Sequence, residues 1–347
     1  MKKRISKVAV LGSGVMGSGI ACHFANIGLE VLMLDILPFD LKEEEKNNPK
    51  ARNRMADVSL MKAIKGRPAP LYDKAFASRI KTGNFEDHMD QIAECDWIIE
   101  VVIERLDIKK QVFENVEKYR KKGSLITSNT SGIPIYMLAE GRSDDFKKNF
   151  CGTHFFNPAR YMKLLEIIPH EGTDQGVVDF FMHYGSVYLG KQTVLCKDTP
   201  AFIANRIGFF SGNKVLELTD KYGLNISEVD KLTGPAIGWP KTGSFRLQDL
   251  VGIDTSVKVT KGVIDNCPDD EYVKVASERG TPKYMEFLLE NKFFGDKSGQ
   301  GFYRKTKERD AKGRRGILGL NLETLEYEPT QRPNLPALGI AKKVEKM

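Results

Sequence analysis

The chain has 347 residues, of which 41% are hydrophobic and 29% charged, with a formal net charge of +7. This length predicts two domains with sizeable cores. No apolar run approaches the roughly 20 residues of a membrane-spanning helix, and the apolar stretch near the basic N-terminus is shorter than the roughly 7–15 residues of a signal peptide. The positive charge favours anionic partners such as nucleotide phosphates, whereas no basic stripe interleaved with aromatic residues indicates nucleic acid.

The cysteines are five in number, scattered along the chain, and without a CxxC spacing. This pattern predicts reduced thiols and indicates neither a metal site nor a disulfide framework. We therefore expect a cytoplasmic protein without a bound metal.

The first 35 residues alternate between apolar runs and a glycine-rich turn. The run KVAVL, from Lys7 to Leu11, predicts a buried strand, and EVLMLD predicts a second strand that ends at Asp35. Between them lie the turn and a helix that Gly28 closes. A strand, a glycine-rich turn, a helix and a strand that ends in an acidic residue are typical of the βαβ unit of a dinucleotide-binding fold.

The turn carries a GxGxxG motif, whose six residues are Gly12, Ser13, Gly14, Val15, Met16 and Gly17. The first glycine allows the tight turn, the second lets the backbone approach a pyrophosphate, and the third lets helix and strand pack closely. The free N–H groups and dipole at the helix N-terminus favour that anion. Asp35 can accept hydrogen bonds from the adenosine ribose and would repel a 2′-phosphate, which favours NAD over NADP. A glycine-rich turn without a ligand is the alternative.

The remainder of the first domain is predicted from its apolar runs. The polar stretch 36–82 predicts one or two surface helices with a loop. The runs CDWIIEVVI, GSLITSNTS, NFCGTHFF, KLLEIIP and QTVLC predict further strands, with a crossover helix from Leu106 to Tyr119. We therefore expect an α/β class protein with a Rossmann-type doubly wound sheet over 1–196.

The alternation of strands and helices stops after this sheet. A long helix is predicted to begin with Asp198 or Thr199 as its N-cap and to end at Gly223, and further helices follow. We expect an all-helical substrate or dimerisation domain over 197–305. The basic remainder, 306–347, is expected to be a loop-like tail or connector that contributes little core.

One segment, CGTHFFNPARYMKLLEIIP, places a histidine and a glutamate on neighbouring strands. His154 lies at the end of one strand, and Glu166 interrupts the apolar run of the next. Burying a carboxylate is costly unless another group pairs with it. A His154–Glu166 pair would satisfy the carboxylate and fix the imidazole tautomer. Spacing alone leaves open whether such a pair is catalytic or only structural.

Several motifs resemble those of the L-3-hydroxyacyl-CoA dehydrogenase family. These are SNTS, HFFNP, MKLLEII and KDTPAFIANR in order, followed by GWPKTGSFRLQDLVGIDT and KSGQGFY in the helical part. The similarity runs from about Lys7 to Arg304. It implies NAD-dependent oxidation of L-3-hydroxyacyl-CoA to 3-ketoacyl-CoA in fatty acid β-oxidation. It also implies an acyl-CoA substrate and a homodimer or a larger multifunctional chain.

The resemblance assigns roles to individual residues. His154 matches the catalytic base, Glu166 its partner, Ser131 the serine near the substrate hydroxyl and nicotinamide, and Asn205 the asparagine that hydrogen-bonds the reacting oxygen. Three further residues match positions that contact NAD: Glu104, Lys109 and Lys297. An ordinary surface pair is the alternative interpretation of Glu104 and Lys109.

The chain also departs from the family pattern. The region that forms a CoA-contacting helical hairpin in the family is reworked over 36–82, so CoA contacts cannot be carried over to single residues. Lys62 and Lys65, at helical spacing, are candidate phosphate partners. The tail after Lys305 resembles the start of the connection to an enoyl-CoA hydratase domain in longer bacterial relatives. Two alternative functions stay open. One is a related hydroxyacid or gulonate-type dehydrogenase, and the other is a catalytically silent NAD-binding or assembly module of a multienzyme β-oxidation protein.

Overall fold

The computed structural model describes residues 4–309, 313, 315–330 and 333–344. The chain divides into two compact units, with the boundary along the sequence between Ile203 and Ala204. Each unit is described separately. Within the described residues, no helix combines the length and the apolar character that crossing a membrane requires.

The first unit is built on an eight-stranded sheet in the order β3-β2-β1-β4-β5-β6-β7-β8. Its strands are β1 Lys7–Leu11, β2 Glu30–Asp35, β3 Ile80–Asn84, β4 Trp97–Glu100, β5 Leu125–Ser128, β6 Phe150–Phe155, β7 Leu164–Pro169 and β8 Gln192–Leu195. All neighbours run parallel except β6 and β7. The order of the first six strands is that of the dinucleotide-binding fold. The predicted Rossmann-type sheet is confirmed.

Helices cover both faces of this sheet. They are α1 Val15–Asn26, α2 Pro49–Arg52, α3 Arg54–Lys65, α4 Phe85–His88, α5 Leu106–Tyr119, α6 Ile135–Ala139, α7 Asp144–Lys148 and α8 Gln175–Val187. Alternate residues of β1 belong to two separate apolar clusters, with Val8 and Val10 in one and Ala9 and Leu11 in the other. Because side chains of a strand alternate between faces, the sheet is buried on both sides. The predicted crossover helix is α5, with the predicted bounds.

The stretch 36–82 is more ordered than predicted. It contains 3₁₀ turns at Glu43–Glu45 and Lys74–Arg79, helices α2 and α3, and most of the edge strand β3, which pairs with β2 alone. The segment IKTGN that forms β3 has one large buried apolar side chain, Ile80. An edge strand with so little apolar pattern could not be recognised from the sequence.

The second unit is mainly helical, as predicted. Its helices are α9 Ala204–Tyr222, α10 Ile226–Leu232, α11 Gly243–Val251, α12 Ile253–Asn266, α13 Glu271–Arg279, α14 Lys283–Glu290 and α15 Pro336–Val344. Large apolar side chains from different helices form its core, among them Leu216, Phe245 and Leu288.

Helix α9 begins later than predicted. It begins at Ala204, whereas the sequence predicted Asp198 or Thr199 as the N-cap. The Asp198 carboxylate instead accepts hydrogen bonds from the backbone N–H groups of Ile135 and Tyr136, at 2.6 and 2.7 Å. Two residues just upstream of α9 have φ values of 61° and 48°, which no right-handed helix allows.

The prediction of a loop-like tail after Lys305 is wrong. Strands β9 Tyr303–Arg309, β10 Arg315–Leu320 and β11 Tyr327–Pro329 form an antiparallel sheet in the order β11-β10-β9. Leu320 is 2% exposed and packs in the same cluster as Phe302. Among the described residues of this segment, Lys307, Glu308, Arg309 and Arg315 occupy exposed positions of β9 and β10.

Candidate active site

The GxGxxG turn between β1 and α1 uses its glycines in different ways. Gly12 has φ 107°, and a Cβ at this position would lie 2.6 Å from the carbonyl oxygen of Val101. A Cβ on Gly17 would lie 1.9 Å from the carbonyl oxygen of Gly12. A Cβ on Gly14 would meet no atom within 4 Å. The first and third glycines are therefore required by the fold, whereas the second leaves open backbone that fits an approaching pyrophosphate.

Asp35 lies beside this turn. Its Oδ2 accepts a hydrogen bond from the backbone N–H of Ser13 at 2.8 Å and a second bond from the Ser13 hydroxyl. Its Oδ1 accepts one from the N–H of Ile36 at 2.7 Å. A carboxylate offers about four acceptor sites, so the half-buried Asp35 retains capacity for ribose hydroxyls.

The predicted contact between His154 and Glu166 is present. The antiparallel register of β6 and β7 places the two residues directly opposite each other. His154 Nδ1 lies 2.6 Å from Glu166 Oε2, and the two residues are 4% and 0% exposed. The other carboxylate oxygen, Oε1, accepts a hydrogen bond from the N–H of Ile203 at 3.1 Å. Both oxygens of the buried carboxylate are therefore hydrogen-bonded.

The arrangement leaves Nε2 as the free acceptor of the imidazole. A carboxylate accepts hydrogen bonds, so Nδ1 carries the proton of this pair and Nε2 keeps its lone pair in the neutral ring. The rings of Phe156 and Phe202 lie 4.4 and 5.8 Å from the His154 ring, measured between centroids. They shield the imidazole from water on these sides.

An ion-pair network around the buried Lys109 lies at the end of β4. Lys109 is 1% exposed, and its Nζ lies 2.7 Å from Glu100 Oε1 and 3.2 Å from Glu104 Oε2. Burial acts to raise the pKa of Glu104, but the Lys109 charge and hydrogen bonds outweigh it and hold that pKa below its usual range. The surface-pair interpretation is therefore wrong for Lys109, whereas the Glu104 side chain is 43% exposed. Glu100, which is 0% exposed, was not predicted from the sequence.

Glu104 also fixes the loop that contains Ser131. Its Oε1 accepts hydrogen bonds from the Thr130 hydroxyl at 2.6 Å and from the N–H groups of Ser131 and Gly132 at 2.8 and 3.1 Å. The Glu104 carboxylate thus links the buried Lys109 to the backbone of Ser131.

These candidate residues share one edge of the sheet. Gly12, Asp35, Glu104, Ser131 and His154 lie at or just after the carboxyl ends of β1, β2, β4, β5 and β6. In doubly wound sheets, ligands bind at the carboxyl ends of the strands. The structure therefore places these five predicted residues along one edge of the sheet.

The remaining predicted residues are outside this group. Lys62 and Lys65 are exposed on α3. In the second unit, Asn205 is the second residue of α9, and Lys297 forms an ion pair with Asp254. Their proposed contacts with substrate or cofactor stay predictions. Among the described residues, no group of His, Cys, Asp and Glu side chains could hold a metal ion. The five cysteines are buried and form no disulfide with one another.

Two models of one protein family match the chain. Residues 7–199 match the family model described as 3-hydroxyacyl-CoA dehydrogenase, NAD binding domain, and residues 202–305 match the C-terminal domain of the same family. The chain belongs to the 3-hydroxyacyl-CoA dehydrogenase family. It is therefore an oxidoreductase with NAD as its cofactor, which fits the open backbone at Gly14 and the acceptor at Asp35.

Relatives of this dehydrogenase include longer proteins. A Bacillus subtilis protein named "Probable 3-hydroxyacyl-CoA dehydrogenase" is 47% identical over 99% of the chain and 43% of its own length. A Rickettsia prowazekii protein named "Putative fatty acid oxidation complex trifunctional enzyme" is 34% identical over 96% of the chain and 45% of its own length. The chain thus spans less than half the length of both relatives.

A solved structure of similar size shares the fold. The (S)-3-hydroxybutyryl-CoA dehydrogenase PaaH1 from Ralstonia eutropha is 27% identical to the chain, with a TM-score of 0.66. The match covers 86% of this chain and 98% of the other.

Proposed function

We propose that this dehydrogenase oxidises the 3-hydroxyl of L-3-hydroxyacyl-CoA to the 3-ketone, with NAD, as a step of fatty acid β-oxidation. The observation that carries the proposal is the buried His154–Glu166 pair at the carboxyl edge of the sheet. The names of the relatives support the substrate class. The family membership and the NAD turn support the cofactor.

His154 acts as the general base through Nε2. Because Nδ1–H donates to Glu166, Nε2 is the nitrogen that accepts the proton of the 3-hydroxyl. The negative charge of Glu166 stabilises the imidazolium that forms. NAD, when bound, supplies the acceptor of the hydride that leaves C3. The C–O bond then becomes a carbonyl, and in the reverse direction His154 returns the proton.

Ser131 and Asn205 hold the reacting oxygen in this proposal. The Ser131 backbone is bonded to Glu104, which fixes the position from which the serine hydroxyl acts. Asn205 would supply an amide donor as the oxygen becomes a carbonyl. Donors positioned before the reaction stabilise developing charge without reorganisation.

Turnover of acetoacetyl-CoA with NADH tests the proposal. We expect NADH oxidation that depends on acetoacetyl-CoA, observed as loss of NADH absorbance. A hydroxyacid or gulonate-type dehydrogenase would instead turn over a substrate that lacks the thioester. A silent module would bind NADH without consuming it. Either of these results would contradict the proposed function.

We further propose that the protein acts in the cytoplasm, where its five buried thiols stay reduced. It works either as a homodimer or as the dehydrogenase part of a longer polypeptide. The length of the relatives supports the second arrangement.

A further inference from the structure

The second unit carries a groove of about 1220 Å³ whose wall is rich in positive charge. Residues of α10, of α11, of the turn between them and of strands β9 and β10 line it. Its described lining has two carboxylates, on Asp230 and Asp296, and six cationic side chains: Lys231, Lys241, Arg246, Arg304, Lys305 and Arg315. The resulting excess of four positive charges favours an anionic ligand.

The two carboxylates of the groove are already engaged by its wall. Asp230 accepts hydrogen bonds from the backbone N–H of Phe245 at 2.6 Å and from the Tyr303 hydroxyl at 2.7 Å. Asp296 accepts two hydrogen bonds from the guanidinium of Arg246, at 2.7 and 2.8 Å. The carboxylates therefore compensate Arg246 and leave the other cations of the groove uncompensated.

These other cations share the groove without acidic partners. Within the described part of the chain, no ion pair is formed by the side chains of Lys231, Lys241, Arg304, Lys305 and Arg315. Four of the five residues are exposed, and Arg304 is half-buried. Like charges around one groove repel each other, and an anion bound among them would relieve that repulsion.

Two guanidinium groups of the wall are held in place. Arg246 is fixed by its two bonds to Asp296, and the guanidinium of Arg304 lies 4.3 Å from the centroid of the Tyr327 ring. Each guanidinium has five N–H donors, so the bonds to Asp296 leave donors of Arg246 unused. A group that is ordered before binding loses less conformational freedom when a ligand arrives.

The chemistry of these cations points to phosphate. Guanidinium and ammonium groups bind phosphate oxygens through charge-assisted hydrogen bonds. The groove is larger than the roughly 300–1,000 Å³ of small-molecule pockets, so several linked phosphates have room in it. The sequence has no basic stripe interleaved with aromatic residues, which favours a compact ligand over a nucleic-acid strand.

We propose that this groove is a binding site for a polyphosphate group. The group comes either from a nucleoside triphosphate or from CoA, which both present clustered phosphates. The groove shares no residue with the GxGxxG turn or with Asp35, and the proposal does not depend on the dehydrogenase reaction.

Binding of inorganic triphosphate to the full chain tests the proposal. Isothermal titration calorimetry with saturating NADH keeps the NAD turn occupied. We expect saturable binding of one triphosphate per chain, with a Kd that rises as salt is added, because salt screens exposed charges. The same titration with ATP and with CoA distinguishes the two sources, since the natural source should bind more tightly than triphosphate alone.

Two double variants remove cations from different parts of the lining. Lys231→Gln with Lys241→Gln changes α10 and the turn that follows it, and Lys305→Gln with Arg315→Gln changes β9 and β10. We expect each double variant to raise the Kd for triphosphate at least about tenfold. All four side chains are exposed, so Tm should stay close to the wild-type value.

The matched control is Lys274→Gln with Lys283→Gln. Both lysines are exposed in the second unit and lie outside the lining, so the control removes the same charge from the same unit. We expect it to keep the wild-type Kd.

Three results would overturn the proposal. The first is a lack of saturable triphosphate binding. The second is an equal Kd in the control and in both groove variants, which would mean that the anion follows the net charge of the protein. The third is triphosphate binding that NADH abolishes, which would assign the bound anion to the NAD site instead of the groove.

Discussion

We propose that Asp35 is the residue that selects NAD over NADP. Its carboxylate is held against the nucleotide turn by Ser13 and Ile36, so it cannot easily move away from a 2′-phosphate. We predict that kcat/KM with NADH exceeds that with NADPH by at least about tenfold, equivalent to roughly 1.4 kcal/mol. Asp35→Asn removes the charge and should lower the ratio of kcat/KM with NADH to kcat/KM with NADPH. Equal use of both cofactors by the wild-type protein would refute the role of Asp35.

Glu100 is the buried partner that holds Lys109 below the Ser131 loop. Glu100→Gln removes one of the two carboxylates that compensate the Lys109 charge, and breaking such a buried pair costs about 3–5 kcal/mol. We predict a lower midpoint in urea denaturation and weaker NADH binding. The control is Glu140→Gln, which removes the exposed partner of Lys110, the neighbour of Lys109 on α5. This control should change the denaturation midpoint and the NADH affinity little. Equal midpoints in the two variants would contradict this prediction.

At the level of elements, Asp249 of α11 anchors the start of β9. It is 1% exposed and accepts hydrogen bonds from the N–H groups of Phe302 and Tyr303, at 2.8 and 2.9 Å. Burial nevertheless raises the pKa of Asp249 to about 6. Since the folded pKa exceeds the unfolded value of about 3.9, the protonated form contributes stability below that value, and this contribution is lost as pH rises through about 6.

Comparison with Asp249→Asn isolates this titration. We predict that the free energy of unfolding of the wild-type protein, relative to the variant, falls by on the order of 2 kcal/mol as pH rises from about 4 to about 7. Urea denaturation at several pH values measures the difference. If the wild-type protein instead gained stability relative to the variant as pH rises, the two hydrogen bonds would stabilise the carboxylate by more than burial destabilises it.

The sheet β9–β11 contributes core to the second unit. Leu320 and Tyr327 pack with its apolar cluster, and a buried leucine contributes about 1.5–3 kcal/mol. We predict that ending the chain after Lys305 lowers Tm by several degrees. A chain that ends after Thr330 keeps all three strands and should melt close to the wild-type temperature. An unchanged Tm in the chain that ends after Lys305 would instead support the tail or connector that the sequence predicted.

The elements differ in how well they could be predicted. Buried strands such as β1 and β2 are continuous apolar runs next to glycine-rich turns, and these features depend only on local sequence. Strands β3 and β9–β11 were missed because polar and charged residues occupy their exposed positions, which hides the alternation. The N-cap of α9 was wrong because Asp198 bonds a distant segment, a contact that spacing along the chain does not reveal.

The same distinction applies to the site. The contact of His154 with Glu166 could be predicted because both lie on adjacent antiparallel strands. Glu100 could not be identified, since a single acid at the end of WIIE has no local signal and its partner Lys109 lies on the next helix. The family was recognisable from its motifs, whereas the network of Glu100, Lys109 and Glu104 required the structure.

At the scale of the whole molecule, the first unit carries both the NAD turn and the His154–Glu166 pair. The central claim is that the histidine moves the proton and that the buried glutamate assists it through charge.

Acetoacetyl-CoA reduction by His154→Gln and Glu166→Gln, measured together with NADH affinity, tests this claim most directly. We predict that His154→Gln lowers kcat by about 10²–10⁴-fold. Glu166→Gln, which keeps the shape and removes the charge, should lower kcat less, and both variants should bind NADH like the wild-type protein. A folded Glu166→Gln variant with full activity, or one that loses stability while its folded fraction keeps the wild-type kcat, would show that the pair is structural and contradict the claim.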